Sequence, residues 1–335
     1  MSKTLLAIDI GSINITAVIA KNDLDNKINI LGTGVEPSEG INKGLISNIE
    51  VASKSIRNAV SNAKRSTPEI IDSTVVSISG AYTKGVRSAG SVNVPNGLIT
   101  EHEINQVMQM ALYNATIVPE YEVIHVVPLF FKVDESNDIE NPLNMNGARL
   151  EVSVYIVTSK KTALVNIQSA LKASNLIVSN FVLNSYASAI SVLDTQQKRF
   201  GSIVINIGGT TTDFISYKGS SILYNDFIPV GSNHITNDLS VMLHTPPSAA
   251  EMLKIKYGSL IESESDELEI KKVRIPRIGD EQTTNEVAIS DVQTIIHARV
   301  EEVLGLVKSK MKKSGIFERT GAGIVITGGM SNLKG

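Results

Sequence analysis

One strand–turn–strand unit occurs twice in this chain, once near each end. The first copy runs Ala7-Ile8-Asp9-Ile10-Gly11-Ser12 and continues as Ile13-Asn14-Ile15-Thr16-Ala17-Val18. The second runs Val204-Ile205-Asn206-Ile207-Gly208-Gly209 and continues as Thr210-Thr211-Thr212-Asp213-Phe214-Ile215. Each reads as a buried apolar strand, a glycine turn with a polar tip, and a second strand. A third glycine turn closes the run Ile324-Val325-Ile326-Thr327-Gly328-Gly329-Met330. Duplicated units with a late Gly-Gly turn point to two related α/β half-domains facing one cleft. Glycine at each turn lets backbone amides approach an anion, because no Cβ holds the ligand away. The expected ligand is a nucleotide.

Composition narrows the partners. With 335 residues, 42% of them hydrophobic, the chain can build two or more cores. A net charge of −3 offers no basic field, so no nucleic-acid partner is expected. The absence of cysteine excludes disulfides, thiolate zinc sites and a cysteine nucleophile. The absence of tryptophan, with aromatics at 4%, makes base- or sugar-stacking platforms unexpected. Met1-Ser2-Lys3-Thr4 leads straight into the strand that meets Asp9, unlike a secretory signal. No run approaches the ~20 apolar residues that span a bilayer, so a soluble, cytosolic chain is expected.

Periodicity and punctuation predict the elements. Strands are expected over 4–10, 15–21 and 28–35, then a helix over 49–65 with Ile49, Ala52, Ile56 and Val60 on one face and Asn48 as its cap. A short strand follows over 75–79. Residues 81–160 look like a small α+β insertion: strands 85–94, 123–133 and 150–157, a polar loop over 134–147, and a helix over 101–114 opened by a Thr100–Glu103 capping box. A helix over 161–174 stops at Asn175, and strand 177–183 leads into a helix over 186–196. In the second half a helix near 232–243 precedes Thr245-Pro246-Pro247, where Thr245 can cap a helix reaching Tyr257. Leu268, Ile270, Val273 and Ile275 alternate as in strands. Ser290–Gln293 reads as a capping box before a long helix striped by Val292, Ile296, Val300, Val303, Val307 and Met311. Lys308, Lys310, Lys312 and Lys313 complement the dipole at its end.

Chemistry concentrates at the three turns. Asp9, beside a glycine turn, is suited to hold Mg²⁺ through water. The amides of Gly11 and Ser12 and the Ser12 hydroxyl can donate to phosphate oxygens, and Gly208, Gly209, Thr210 and Thr211 offer the same from the second unit. Gly328-Gly329-Met330 lets backbone approach a flat group such as adenine or its ribose. There is no GxxxxGK[ST] loop, and Val35-Glu36-Pro37 after Gly32-Thr33-Gly34 breaks a dinucleotide fingerprint, leaving those glycines as a strand-end turn. The five histidines show no metal-ligand spacing, and His125 reads as a satisfied core or surface residue. On residues alone Glu251 and Lys254 form a surface i,i+3 pair, and Arg299 pairs with Glu301 or Glu302.

The three turns resemble the phosphate-1, phosphate-2 and adenosine motifs of the actin/Hsp70/sugar-kinase superfamily. Residues 32–44 (GTGVEPSEGINKG), 123–128 (VIHVVP), 141–149 (NPLNMNGAR), 245–258 (TPPSAAEMLKIKYG) and 322–329 (AGIVITGG) resemble the FtsA family of actin-like bacterial cell-division proteins, and the likeness covers essentially the whole chain. It implies an α/β, actin-like ATPase fold: two RNase H-like half-domains around a nucleotide cleft, with a small α+β insertion. The implied division is 1–80 plus 161–197 as subdomain IA, 81–160 as IC, 198–230 plus 304–335 as an incomplete IIA, and 231–303 as IIB.

The same resemblance implies ATP and Mg²⁺ as cofactors. It brings Glu251 and Lys254 to the ribose and adenine, and it makes Arg299 a contact for the C-terminal tail of FtsZ, the tubulin-like division protein. It further implies self-association into filaments, recruitment of later division proteins, and a place on the cytoplasmic face of the membrane at the division site. There the family anchors FtsZ filaments through a C-terminal amphipathic helix that this chain, ending at Lys334-Gly335, does not include. Three departures bear on turnover. Asn206 stands where most superfamily members carry Asp, Asn14 takes the place often held by a phosphate-binding Lys, and Asn184 matches the Gln or Glu that positions the attacking water. An amide cannot act as a general base, so ATP binding with weak or no ATPase activity is expected. A pilus-assembly actin-like protein and a small-molecule kinase or Hsp70-type ATPase of the same fold are the alternatives.

Overall fold

The computed structural model describes residues 3–23, 27–261, 271–316 and 320–335. The first lobe opens with β1 (Thr4–Ile10), β2 (Asn14–Asn22) and β3 (Ile28–Pro37). A short ladder of β4 (Ile41–Asn42) and β5 (Leu45–Ile46) leads to α1 (Ile49–Lys64) and β6 (Ser73–Ile78). An insertion follows: β7 (Thr83–Asn93), α2 (Glu101–Tyr113), β8 (Tyr121–Val133), β9 (Ser136–Ile139) and β10 (Arg149–Lys160). The chain returns through α3 (Lys161–Lys172), β11 (Asn180–Leu183), α4 (Asn184–Val192) and α5 (Thr195–Phe200). The second lobe comprises β12 (Ser202–Ile207), β13 (Thr212–Lys218), β14 (Ser221–Ile228), α6 (Ser232–Met242), α7 (Pro247–Tyr257), the hairpin β15 (Lys272–Arg277) and β16 (Asp280–Ala288), α8 (Ile289–Lys313) and β17 (Ile324–Thr327).

The sequence duplication is a duplication of sheet topology. The first sheet has the order β11-β6-β1-β2-β3, with β1, β2 and β3 an antiparallel meander and β6 parallel to β1. The second has the order β14-β13-β12-β17, again a meander with one parallel neighbour. β1 and β12 therefore occupy equivalent central positions, and both end at the glycine turns. The inserted sheet, β7-β10-β8-β9, is antiparallel throughout and covered by α2.

Each lobe has its own core. Leu6, Ile8, Ile15 and Ile19 of the first sheet bury against Ile56, Ala59 and Ala63 of α1 and Leu164 and Leu171 of α3. In the second lobe Val292, Ile296, Val300, Val303, Val307 and Met311 are all buried along α8, the stripe that their spacing predicts. Each such side chain contributes roughly 1.5–3 kcal/mol of burial. A further cluster joins the parts: Val127, Tyr155 and Val157 of the insertion pack on Leu183, Ala189, Val204, Ile215 and Tyr217. The Thr100–Glu103 capping box is formed, with Glu103 accepting the Thr100 N–H at 2.9 Å. Thr100→Ala is expected to cost about 1 kcal/mol, read as a lower urea midpoint at unchanged slope.

Several local expectations are corrected. Gly32 and Gly34 lie inside β3 rather than in a strand-end turn, facing α1 so closely that a Cβ would fall 2.2 Å from Ala63 O and 2.0 Å from Ala59 O. Close strand–helix approach, not turning, is what those glycines allow. The helix expected over 186–196 is two helices, because Asp194 caps a new one with Gln197 in a capping box. The loop over 134–147 contains β9. Thr245 caps nothing: its hydroxyl donates to Pro276 O at 2.8 Å. Ser290 falls inside α8, and Gln293 donates to Tyr257 O at 3.2 Å instead of closing a capping box. Lys310 does more than complement a dipole, reaching both oxygens of Asp226 at 2.8 and 2.9 Å. Val273 and Ile275 lie in β15 as expected, while Leu268 and Ile270 fall outside the described residues.

Candidate functional site

A cavity of about 300 Å³ lies between the lobes, where the three glycine turns converge. Its lining includes Asp9, Gly11, Ser12 and Asn14 from the first unit, Asn206, Gly208, Gly209 and Thr211 from the second, and Gly328 and Gly329 from the third. The two polar tips meet: Ser12 Oγ and Thr210 Oγ1 are 2.7 Å apart. The turns are set by their own backbones. Ser38 Oγ donates to Gly11 O at 2.7 Å, and a Cβ on Gly11 would lie 2.6 Å from Asn14 O. In the second unit Gly208 N–H donates to Thr211 O at 2.9 Å, while the first amides of α6, Ser232 and Asn233, donate to Gly208 O and Gly209 O at 2.9 and 2.8 Å. Gly328 has φ +91°, a conformation that a side chain would strain.

The floor of the cavity is a chain of side chains running from lobe to lobe. Asp9 Oδ1 accepts from the Ser77 hydroxyl and from Asn184 Nδ2, the latter at 3.0 Å. Asn184 Oδ1 in turn accepts from Asn206 Nδ2 at 2.7 Å. Burial raises the Asp9 pKa above the ordinary carboxylate range, against the pull of the Ser77 and Asn184 hydrogen bonds.

A second carboxylate, which sequence reasoning left without a role, also lines the cavity. Asp213 on β13 is buried and bridges back to the first lobe, accepting from the Gly80 N–H at 3.1 Å and the Ser79 hydroxyl at 3.2 and 3.3 Å. Burial pushes its pKa up to about 7, with the Asp9 charge adding and the Ser79 and Gly80 hydrogen bonds opposing. Strand register relates the two units. Asp9 pairs with Thr16 across β1 and β2, and Asn206 pairs with Asp213 across β12 and β13. Each unit thus carries one carboxylate, on opposite members of equivalent cross-strand pairs. The signal in the sequence was a lone acid in an apolar strand directly after the second turn.

The remaining candidates sit further out. Glu251 and Lys254 on α7 pair at 2.7 Å and share Thr236 on α6, with Lys254 Nζ 3.0 Å from its hydroxyl. Lys254 also reaches Ser232 O at 3.4 Å, and Ser232 lines the cavity. The Met330 side chain is buried in the second core. Arg299 on α8 holds Asp238 with two donors at 2.6 and 2.9 Å and Glu302 with a third at 2.5 Å. His125 accepts the Leu183 N–H at 3.0 Å on Nε2, and burial lowers its pKa. Among the described residues no group of three or more His, Asp or Glu is placed to hold a metal ion, and no helix is long and apolar enough to cross a membrane.

Two duplicated α/β lobes around one cleft define the actin-like fold. The structure described as the PilM-PilN type IV pilus biogenesis complex superposes with a TM-score of 0.63 at 16% identity, over 99% of this chain and 83% of that one. MreB5 of Spiroplasma citri bound to ADP superposes with a TM-score of 0.55 at 13% identity, over 99% and 86%. Sequence comparison then gives the family, and the chain belongs to it: this is a member of the FtsA family, an actin-like cell-division protein. The cell division protein FtsA of Helicobacter pylori is 33% identical over 99% of this chain and 72% of its own length. That of Neisseria meningitidis serogroup B is 34% identical over 98% and 78%. Residues 203–335 match the family model for cell division protein FtsA, and residues 80–158 match the SHS2 domain inserted in FtsA.

Proposed function

We propose that the cavity binds ATP, with the polyphosphate between the first two turns and the adenosine against the third, and that the chain assembles into filaments that tie FtsZ to the cytoplasmic face of the membrane at the division septum. The observation that carries the nucleotide reading is the meeting of Ser12 and Thr210 at 2.7 Å beside a cavity with glycine backbone on three sides. A phosphate oxygen entering there takes both hydroxyls from each other, together with the nearby turn amides. At Gly329 a Cβ would have nothing within 4 Å, so the third turn offers bare backbone and open space to a flat group. Glu251 and Lys254 stand one helix behind Ser232, on the side assigned to ribose and adenine.

The donor set fits Mg²⁺ held mainly by phosphate and water. Asp9 supplies one carboxylate oxygen that remains free of its Ser77 and Asn184 bonds, and Asp213 is the only other acid among the cavity's lining residues. The ion would neutralise charge between Asp9 and the phosphates. Asn184 and Asn206 hold each other, and neither amide can take a proton from water, which supports slow or absent hydrolysis. Arg299 is proposed to contact the C-terminal tail of FtsZ by releasing Glu302, the more exposed of its partners. The subdomain division proposed is 1–80 plus 161–197, 81–160, 198–230 plus 304–335, and 231–303. Membrane contact and the recruitment of later division proteins belong to the same proposal, and membership of the family supports them.

The test is a titration with a fluorescent ATP analogue in Mg²⁺, followed by phosphate release. Saturable binding with turnover below about 1 s⁻¹ is the expected result. Faster turnover would assign the chain to the enzymes of this fold.

A further inference from the structure

His125 belongs to β8 of the inserted sheet, yet a single peptide separates its hydrogen-bond partner from the amide that spans the cleft. Its Nε2 accepts the N–H of Leu183, the buried last residue of β11. The next residue, Asn184, opens α4 and places its side chain between Asp9 and Asn206. No side chain caps α4. The imidazole also packs edge-on against Tyr186, two residues further on, at a ring separation of 5.3 Å. The insertion therefore grips the start of α4 twice, once by the backbone and once by a ring, on either side of the bridging amide. Removing the acceptor strands a backbone donor away from water and frees the first turn of α4 to shift.

We propose that His125 is a positioning residue for the cleft: it fixes Asn184 in the geometry that bridges Asp9 and Asn206, and so lets the placement of the inserted sheet be felt at the nucleotide site. An Nε2 that accepts is the neutral ring with its proton on Nδ1. A side chain that accepts at the same reach, such as Gln, preserves the hydrogen bond to Leu183, whereas an aromatic ring without an acceptor, such as Phe, preserves only the packing on Tyr186. The consequence for affinity rests on the nucleotide reading above, whereas the grip on Leu183 does not.

The experiment combines affinity for a fluorescent ATP analogue in Mg²⁺ with hydrogen exchange of the segment 180–192 in nucleotide-free protein. It uses His125→Phe, His125→Gln, Asn184→Ala and the Phe/Ala double variant. His125→Phe is expected to weaken affinity about tenfold, His125→Gln to stay within about threefold of the parent, and His125→Phe to add less than about twofold once Asn184 is Ala. Exchange at the Leu183 amide should accelerate about tenfold in the Phe variant, with little change in the Gln variant or in the β12–β14 segments. Should the Phe variant fail to fold, His125→Met takes its place. Unchanged affinity in the Phe variant, or equal losses with and without Asn184, overturns the coupling. If the parent protein binds no nucleotide, the nucleotide reading is what fails. Leu183 exchange then decides alone, and exchange indifferent to His125→Phe rejects the positioning role.

Discussion

Gly329→Val is expected to weaken binding of ATP by at least about a hundredfold while leaving the thermal midpoint within about 2 °C. The two halves of that expectation come from one local geometry. Gly329 lines the cavity, its φ lies outside the left-handed region, and a Cβ built on it has no neighbour within 4 Å. The Cβ of a valine therefore has open space around it, so folding has little to lose. It does place three carbons where the proposed adenosine must approach the backbone. Gly328→Val is the contrasting control. At φ +91°, with a Cβ 2.5 Å from both Asn206 Oδ1 and Ile207 O, it should destabilise the second lobe by about 2 kcal/mol or more and lower affinity only as a consequence. Isothermal titration beside urea unfolding separates the two variants. If Gly329→Val bound ATP like the parent, the third turn would have no part in the site.

What could be seen in the sequence, and what could not, divides along physical lines. The paired units and the stripe on α8 were legible because they are periodic and local, and burial follows periodicity. The meeting of Ser12 with Thr210 was legible only through symmetry: two copies of a unit that cannot bury its glycine tip alone suggest a common face. Side chains whose partners come from distant elements were misread. Thr245 and the Ser290–Gln293 pair fit local capping rules, yet their hydrogen bonds go to Pro276 and Tyr257. Gly32 and Gly34 look like turn residues until α1 is laid across them. Asp213 was missed for a related reason. An acid in an apolar strand is an anomaly in sequence, but its meaning lies in Ser79 and Gly80 of the other lobe. His125 was expected to be satisfied, and it is, but the identity of its partner gives it significance.

Asp213 carries the other large expectation, and its sign can be worked out. Its pKa rises from 3.8 in the unfolded chain to about 7 in the folded one. A carboxyl shifted upward binds its proton more tightly when folded. The resulting stabilisation is fully present below pH 3.8 and is lost as the pH rises through 7. Between pH 5 and pH 8 the parent protein should lose roughly 2–3 kcal/mol of unfolding free energy that Asp213→Asn does not lose. The asparagine keeps an oxygen for the Ser79 hydroxyl and the Gly80 N–H, and it replaces the protonated oxygen with an amide of nearly the same shape. Urea unfolding of both proteins in EDTA at pH 5, 6, 7 and 8 is the measurement. Other titrating groups appear in both curves and cancel in the difference. Asp9 does not cancel fully, because its charge is one of the causes of the Asp213 shift. The same difference should therefore be taken in an Asp9→Asn background, where the window moves to lower pH as the neighbouring charge disappears. A difference flat across pH 5–8 in both backgrounds would mean that Asp213 is already ionised at pH 5, and that the lobes are held together by a charged carboxylate rather than a neutral one.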